Sequence, residues 1–167
     1  MRGLQDPTER RHVVDMEVSV DNHPRILTEI DAILEGLLRE TGASRVTLRQ
    51  DVPGDYAFPV SHEALAPGVG SLREERTVDL RKQPVVRELQ QGRQVIQPDT
   101  RAAFDDPAFQ AMLATYGGLA AQIVTPVFSG ERLAAIVSLH QLGEPREWTE
   151  DEVAACTAAA SHVAAQL

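Results

Sequence analysis

The sequence predicts an α+β fold, an antiparallel sheet with helices on both faces. Three observations predict it. Apolar residues repeat at helical spacing over 24–41 and 149–167; two long apolar runs late in the chain flank one short turn; and shorter runs between them alternate, punctuated by glycine and proline. At 167 residues the chain has room for one core and is short for two.

The first half reads as follows. Residues 1–20 are polar and mixed in charge, with weak alternation at Val13, Val14, Met16, Val18 and Val20, and read as a loose arm; the domain is expected over 21–167. Pro24 suits a first helical turn, where its missing N–H goes unused, and Asp21 or Asn22 can cap it. Ile26, Ile30, Ile33, Leu34, Leu37 and Leu38 form an apolar stripe, widened by Leu27 enough for two contact surfaces, and Gly42 stops the helix. Arg45 to Asp51 sets Val46 and Leu48 against Thr47 and Arg49, a strand with one wet face. After Pro53 and Gly54, the alternation of Tyr56, Phe58 and Val60 predicts a second strand, which Pro59 assigns to a sheet edge. Residues 66–71 read as a loop, and the alternating charges of 73–82 as solvated surface.

In the second half, Pro84 opens a short helix through Gln91, stopped by Gly92 and followed by a strand at Arg93–Gln97. Asp105 and Asp106 before Pro107 begin another amphipathic helix, with Phe109, Met112, Leu113 and Tyr116 on its stripe and Gly117–Gly118 at its end. The runs 119–128 and 133–139 form a hairpin about Ser129, Gly130 and Glu131. The second run is apolar on both alternate faces, which places it at the centre of the sheet. Thr149 and Glu152 form a capping box, and Trp148 can staple onto Val153. Val153, Cys156, Ala160, Val163 and Leu167 repeat along this last helix among alanines that permit close approach.

Composition excludes several classes. With 43% hydrophobic and 25% charged residues the chain is of globular type. A net charge of -9 and a pI near 5.0 oppose a phosphate backbone or an anionic membrane surface, so neither nucleic acid nor membrane is an expected partner. No apolar run approaches the ~18 residues of a membrane span, and the first residues hold no signal-peptide run. A cytoplasmic location is expected. Cys156 is the single cysteine and can make neither an internal disulfide nor a cysteine-based zinc cage. There is no paired-carboxylate signature and no nucleophile elbow, and Gly68 and Gly70 lack the lysine of a phosphate loop. The expectation is that the domain is not an enzyme.

The stretch QPVVRELQQGRQVIQPDTR resembles the short helix, glycine stop, strand and following aspartate of the GAF domain family. IVTPVFSGERLAAIVSLHQLGEPREWTEDEV resembles that family's final hairpin, Pro-Arg-x-Trp connector and capped last helix. The resemblance spans roughly 24–167 and implies a GAF-like sheet, with the first and last helices on one face and short helices and loops covering a pocket on the other; a PAS-like fold is the alternative. The end SLHQLGEPREW is similar to the bilin-binding GAF domains of phytochromes and cyanobacteriochromes, which attach a tetrapyrrole through Cys-His. Aligned on the hairpin prolines, those positions fall on Phe109 and Gln110, so no covalently attached cofactor is expected. The dispersed Asn-Lys-Phe-Asp-Glu signature of cyclic-nucleotide-binding GAF domains has no equivalent, and one thiol cannot complete the cycle of the methionine-sulfoxide-reducing members.

The pocket expected from this layout is floored by Val60, Thr125, Ser138 and His140 and roofed by residues 99–116. His140 ends an apolar central strand on the same face as Ser138. A neutral imidazole there can donate to a ligand, accept from one or ligate haem iron, or it can simply bond to backbone. Asp99 can orient a ligand or cap a turn. Phe104, Phe109, Met112 and Tyr116 can form a lid or belong to the core. His62 can join His140 and Asp99 at a ligand, though no spacing motif supports a metal. The resemblance to GAF domains implies a bacterial-type sensory and regulatory domain that binds a small molecule in signal transduction. It is expected to work as a homodimer through the 24–41 and 149–167 helices and to signal to a separate output protein. The alternative is a dimerisation or partner-docking module with a collapsed pocket.

Overall fold

The computed structural model describes residues 24–167, with side chains from Glu29 onward. The expected arm of 1–20, the cap at Asp21 or Asn22 and the side chains of Ile26 and Leu27 lie outside the described residues. The elements in chain order are α1 (Pro24–Thr41), β1 (Arg45–Gln50), β2 (Val60–Leu65), α2 (Pro84–Gln90), β3 (Val95–Gln97), α3 (Pro107–Thr115), β4 (Leu119–Ser129), β5 (Arg132–Leu142) and α4 (Glu150–Gln166), with 3₁₀ turns at Leu80–Lys82 and Thr100–Ala102. The strands form one antiparallel sheet in the order β2-β1-β5-β4-β3. The α+β layout expected from the sequence is the one observed, and β5 lies at its centre.

Each face of the sheet carries its own core. On one, Val46, Leu48, Ile123, Val137 and Leu139 pack against Ile30, Leu34 and Leu37 of α1 and Cys156, Ala160 and Val163 of α4. On the other, Val124 and Ile136 meet Val85, Val86 and Leu89 of α2 and Phe109, Met112 and Leu113 of α3. The end helix is fixed by its cap, because Thr149 accepts from the Glu152 N–H. The connector before it is fixed by Arg146. Its guanidinium donates to the Thr41 carbonyl at the end of α1 and to Gln141 of β5, pairs with Glu152 of α4, and lies 4.8 Å over the Trp148 ring. Trp148 in turn donates to the Gln97 carbonyl, tying the connector to the edge strand β3.

Three local expectations are corrected. β1 has no wet face: it is flanked by β2 and β5 and covered on both sides, so Arg45, Thr47 and Arg49 are as buried as Val46 and Leu48. The second strand does not include Tyr56 or Phe58 but begins at Val60; Phe58 has φ 45, a left-handed value that an extended strand cannot contain. The charged stretch 73–82 is not all solvated, since Val78 and Leu80 enter the core between its exposed arginines and glutamates. The hairpin turn behaves as expected: Gly130 adopts φ 62 between β4 and β5.

Leu34 is fully buried between α1 and the sheet. Leu34→Ala is expected to cost about 2–5 kcal/mol through lost transfer energy and the cavity left behind. Urea denaturation measures this, and a loss below about 1 kcal/mol would show that α1 is not held as described.

Candidate functional site

The alternation of β1 sends Arg45, Thr47 and Arg49 to the face under α2 and α3. Strand register sets Arg45 beside His140, Thr47 beside Ser138 and Arg49 beside Ile136, while Gln122 of β4 flanks His140 from the other side. A polar patch therefore crosses three strands inside a core. Both guanidinium groups are desolvated, Arg45 at 1% exposure and Arg49 at 3%.

Charged groups persist in such places only when their donors are met. Arg45 donates to the Gly70 carbonyl at 2.9 Å, the Tyr116 carbonyl at 2.8 Å and His140 Nδ1 at 3.2 Å. Arg49 donates to the carbonyls of Ala57 and Phe58 and to the Tyr116 hydroxyl. Among the described residues neither forms a salt bridge; Glu63, the acid whose attraction reaches Arg45, is paired with Arg73. Burial, opposed by Glu63 and reinforced by repulsion from Arg49, holds the Arg45 guanidinium down to about 10.

The bond from Arg45 settles the state of His140. A guanidinium can only donate, so Nδ1 must accept, and the proton of the neutral ring sits on Nε2. Burial first, then the charges of Arg45 and Arg49, push the imidazole's pKa well below its ordinary 6.5. The Tyr116 ring stacks on it at 6.1 Å, and burial raises the tyrosine's own pKa.

A cavity of about 30 Å³ lies against this patch. Its floor is Arg49, Gln122, Val124, Ile136, Ser138 and His140; its roof is Leu80, Gln83 and the Val85, Val86 and Leu89 side of α2, closed by Met112 of α3 and Tyr116 at that helix's C-cap. That volume suits about one water. Drug-sized ligands occupy roughly 300 Å³ or more, so a ligand enters only if the roof shifts outward.

Of the residues singled out from sequence, Met112, Tyr116, Ser138 and His140 meet at this cavity. Val60, Phe104 and Phe109 belong to the same half of the molecule but pack in its core, with Phe109 edge-on to Phe104 at 5.1 Å. Asp99 is not at the cavity; its carboxylate accepts from the Arg101 N–H and caps the 3₁₀ turn. Thr125 and His62 are on the wrong face. A bulge near the hairpin end of β5 shifts the register, pairing Thr125 with Val137 rather than with a residue of the Ser138 face, and Thr125 accepts from Gln94 on the α4 side. A second bulge turns β2 over between His62 and Val60: His62 pairs with Leu48 on the α1 side, Val60 with Arg49 on the other. His62, His140 and Asp99 therefore do not converge, and no group of metal-ligating side chains occurs among the described residues.

Sequence reasoning missed Arg45, Arg49 and the roof contributed by α2 and Gln83. The signal for the arginines was present. If β5 is central, its neighbour β1 is covered too, and polar residues alternating along β1 must then be buried.

The sequence model of the GAF domain family matches residues 25–167. The chain belongs to that family. Among solved structures it resembles the cyanobacteriochrome TePixJ GAF domain, at 20% identity and TM-score 0.70, over 84% of this chain and 87% of that one. It also resembles the blue-light-absorbing form of the PixJ GAF domain of Thermosynechococcus elongatus, at 23% identity and TM-score 0.68, over 89% of each chain. A phycocyanobilin-bound GAF domain from a cyanobacterial phytochrome aligns at 18% identity and TM-score 0.68, over 86% of this chain and 87% of its own. At such identities the likeness establishes the fold. No curated protein matches the sequence. At the position the sequence comparison assigned to the bilin-attaching cysteine, Phe109 is fully buried, while Gln110 donates to the carbonyls of Arg101 and Phe104. Cys156, the free cysteine, is buried under α1 with its thiol pushed up to about 12, first by burial.

A neutral, buried His140 makes folding pH-dependent. The unfolded chain takes up a proton below about 6.5 that the folded chain refuses, so stability is full above that pH and falls as pH drops. His62, also lowered by burial, adds in the same direction. The depressed carboxylates of Asp51 and Glu75 lose their contribution only at lower pH, below their ordinary values of 3.8 and 4.5. Melting temperature is expected to fall between about pH 6.5 and 5, with His140→Gln flattening most of that slope. An unchanged slope in the variant would contradict a neutral His140.

Proposed function

We propose that this GAF domain is a non-catalytic sensory and regulatory module that binds a small molecule in the cavity under α2 and α3. The observation that carries the reading is the convergence of Arg49, His140 and Ser138 on a partly open cavity whose remaining wall is mostly aliphatic. An apolar core holds polar groups at a cost unless something bonds to them, and among the described residues Gln83 Oε1 on the same wall is buried with no hydrogen-bond partner. Occupation would displace α2 and α3, whose flanking glycines, Gly92, Gly117 and Gly118, already carry positive φ. That displacement is the signal passed to a separate output protein.

The domain acts as a homodimer through the outer side of α1 and α4. A groove there is lined by Ala32, Ile33 and Gly36 of α1 and Ala154, Ala155 and Ala158 of α4, small side chains that let a second pair of helices approach closely. Val163 is turned inward against the sheet, so substitutions at the exposed Ala158 probe the interface without opening the core. Ala158→Glu is expected to give folded monomers where the native chain scatters light as a dimer at high micromolar concentration. A native monomer under those conditions removes this part of the reading.

The cavity's volume of about 30 Å³ favours the second reading, a collapsed pocket in a dimerisation or docking module. Native mass spectrometry of the chain purified from its source separates them. The sensory reading expects a bound small molecule or a metabolite that raises the melting temperature; an empty protein indifferent to a broad metabolite library supports the collapsed pocket. The preparation is also expected to be colourless when expressed with bilin synthesis, because Phe109 offers no thiol. A zinc-fluorescent band surviving denaturation would overturn that expectation.

A further inference from the structure

Taking up the small-molecule reading above, we infer that the cavity receives the carboxylate of a small, largely apolar organic acid, held by the Arg49 guanidinium and the Nε2–H of His140. The charge on the wall is all of one sign. Among the described residues Arg49 is the one formally charged side chain lining the cavity and no aspartate or glutamate lines it, and Arg45 adds a second positive charge directly behind His140. This is so in a chain whose net charge is -9.

The hydrogen-bond inventory agrees. A guanidinium has five N–H groups. Arg49 spends two on the Ala57 and Phe58 carbonyls and one on the Tyr116 hydroxyl, which leaves its Nε–H and one Nη2–H without an acceptor among the described residues. His140 is held by Arg45 in the tautomer that donates from Nε2, and Ser138 adds a hydroxyl whose proton is free to turn. Arg49, His140 and Ser138 thus offer donors that a carboxylate, which only accepts, complements, while Gln83 Oε1, a buried acceptor with no partner among the described residues, lines the same cavity.

The rest of the wall describes the body of the ligand. Leu80, Val86, Leu89, Val124 and Ile136 offer no polar atom beyond the backbone, so an apolar body follows a single anionic head. A phosphate or a dicarboxylate would carry further charge into this aliphatic lining without a second cation on the wall to meet it. The small volume limits the body to a few carbons and requires α2 to move outward as it enters.

The test is calorimetric titration of the full chain with isobutyrate and isovalerate, against isobutyramide and isovaleramide as neutral counterparts of the same shape. The acids are expected to bind at least about tenfold more tightly than the amides, and Arg49→Gln to weaken acid binding by on the order of 30-fold, with Arg49→Lys recovering part of it. Amides that bind as well as the acids, or acid binding undiminished in Arg49→Gln, overturn the carboxylate assignment while leaving the small-molecule reading intact. Silence from all four compounds, with native mass spectrometry finding no bound molecule, overturns both. Should Arg49→Gln fail to fold, the acid-to-amide ratio on the native chain decides alone.

Discussion

Two guanidinium groups, buried with no carboxylate of the described residues within bridging distance, determine how half of this molecule is arranged. A desolvated cation must find its solvation in the protein, and Arg45 and Arg49 find it largely in main-chain carbonyls. Those carbonyls belong to segments with little regular structure: Ala57 and Phe58 before β2, Gly70 after it, and Tyr116 at the end of α3. The strand supplies rigid donors, and the loops are positioned as acceptors around them. The left-handed backbone at Phe58 fits this account, because two successive carbonyls there converge on one guanidinium nitrogen. Its ring is buried and covered by Arg81 at 4.4 Å, which offsets the unfavourable conformation.

The opposite face follows a different logic. It is largely apolar from Val46 to Val163, with alanines and Cys156 bringing α4 close to the sheet; His62 and Thr125 are buried on it, and Arg146 joins α1, β5 and α4 at its margin. One face is therefore a close-packed platform. The other holds charge, unspent donors and a gap, which is where a response to a ligand costs least.

How much of this could be read in advance varied by element. The threonine cap at Thr149, the aspartate cap at Asp106 and the glycine at the β4–β5 turn act within a few residues of themselves, and each appears where the sequence pointed, although Glu152 pairs with Arg146 instead of closing the reciprocal half of a capping box. His140 and Ser138 were recognisable because a polar residue inside an apolar central strand is conspicuous. Thr125 and His62 were misplaced for one shared reason: a single bulge inverts the face of everything beyond it, and bulges leave little mark on the sequence. Arg45 and Arg49 were passed over because an arginine alternating with valine and leucine normally marks a solvent face.

The amino-acid sequence by itself determined the α+β class, the order of elements, the caps, the central place of β5 and membership of the GAF family. These depend on periodicity and on side chains reaching their own neighbours. Only the tertiary structure decided that β1 is buried on both sides, that Arg45 fixes the tautomer of His140, and that α2 roofs the cavity in place of the segment at Asp99. Those outcomes arise where strands far apart in the chain come into register, and the contact of Arg45 with His140 spans 95 positions. A charge acquires its meaning from whether water or a carbonyl surrounds it, and that is settled only when the sheet closes.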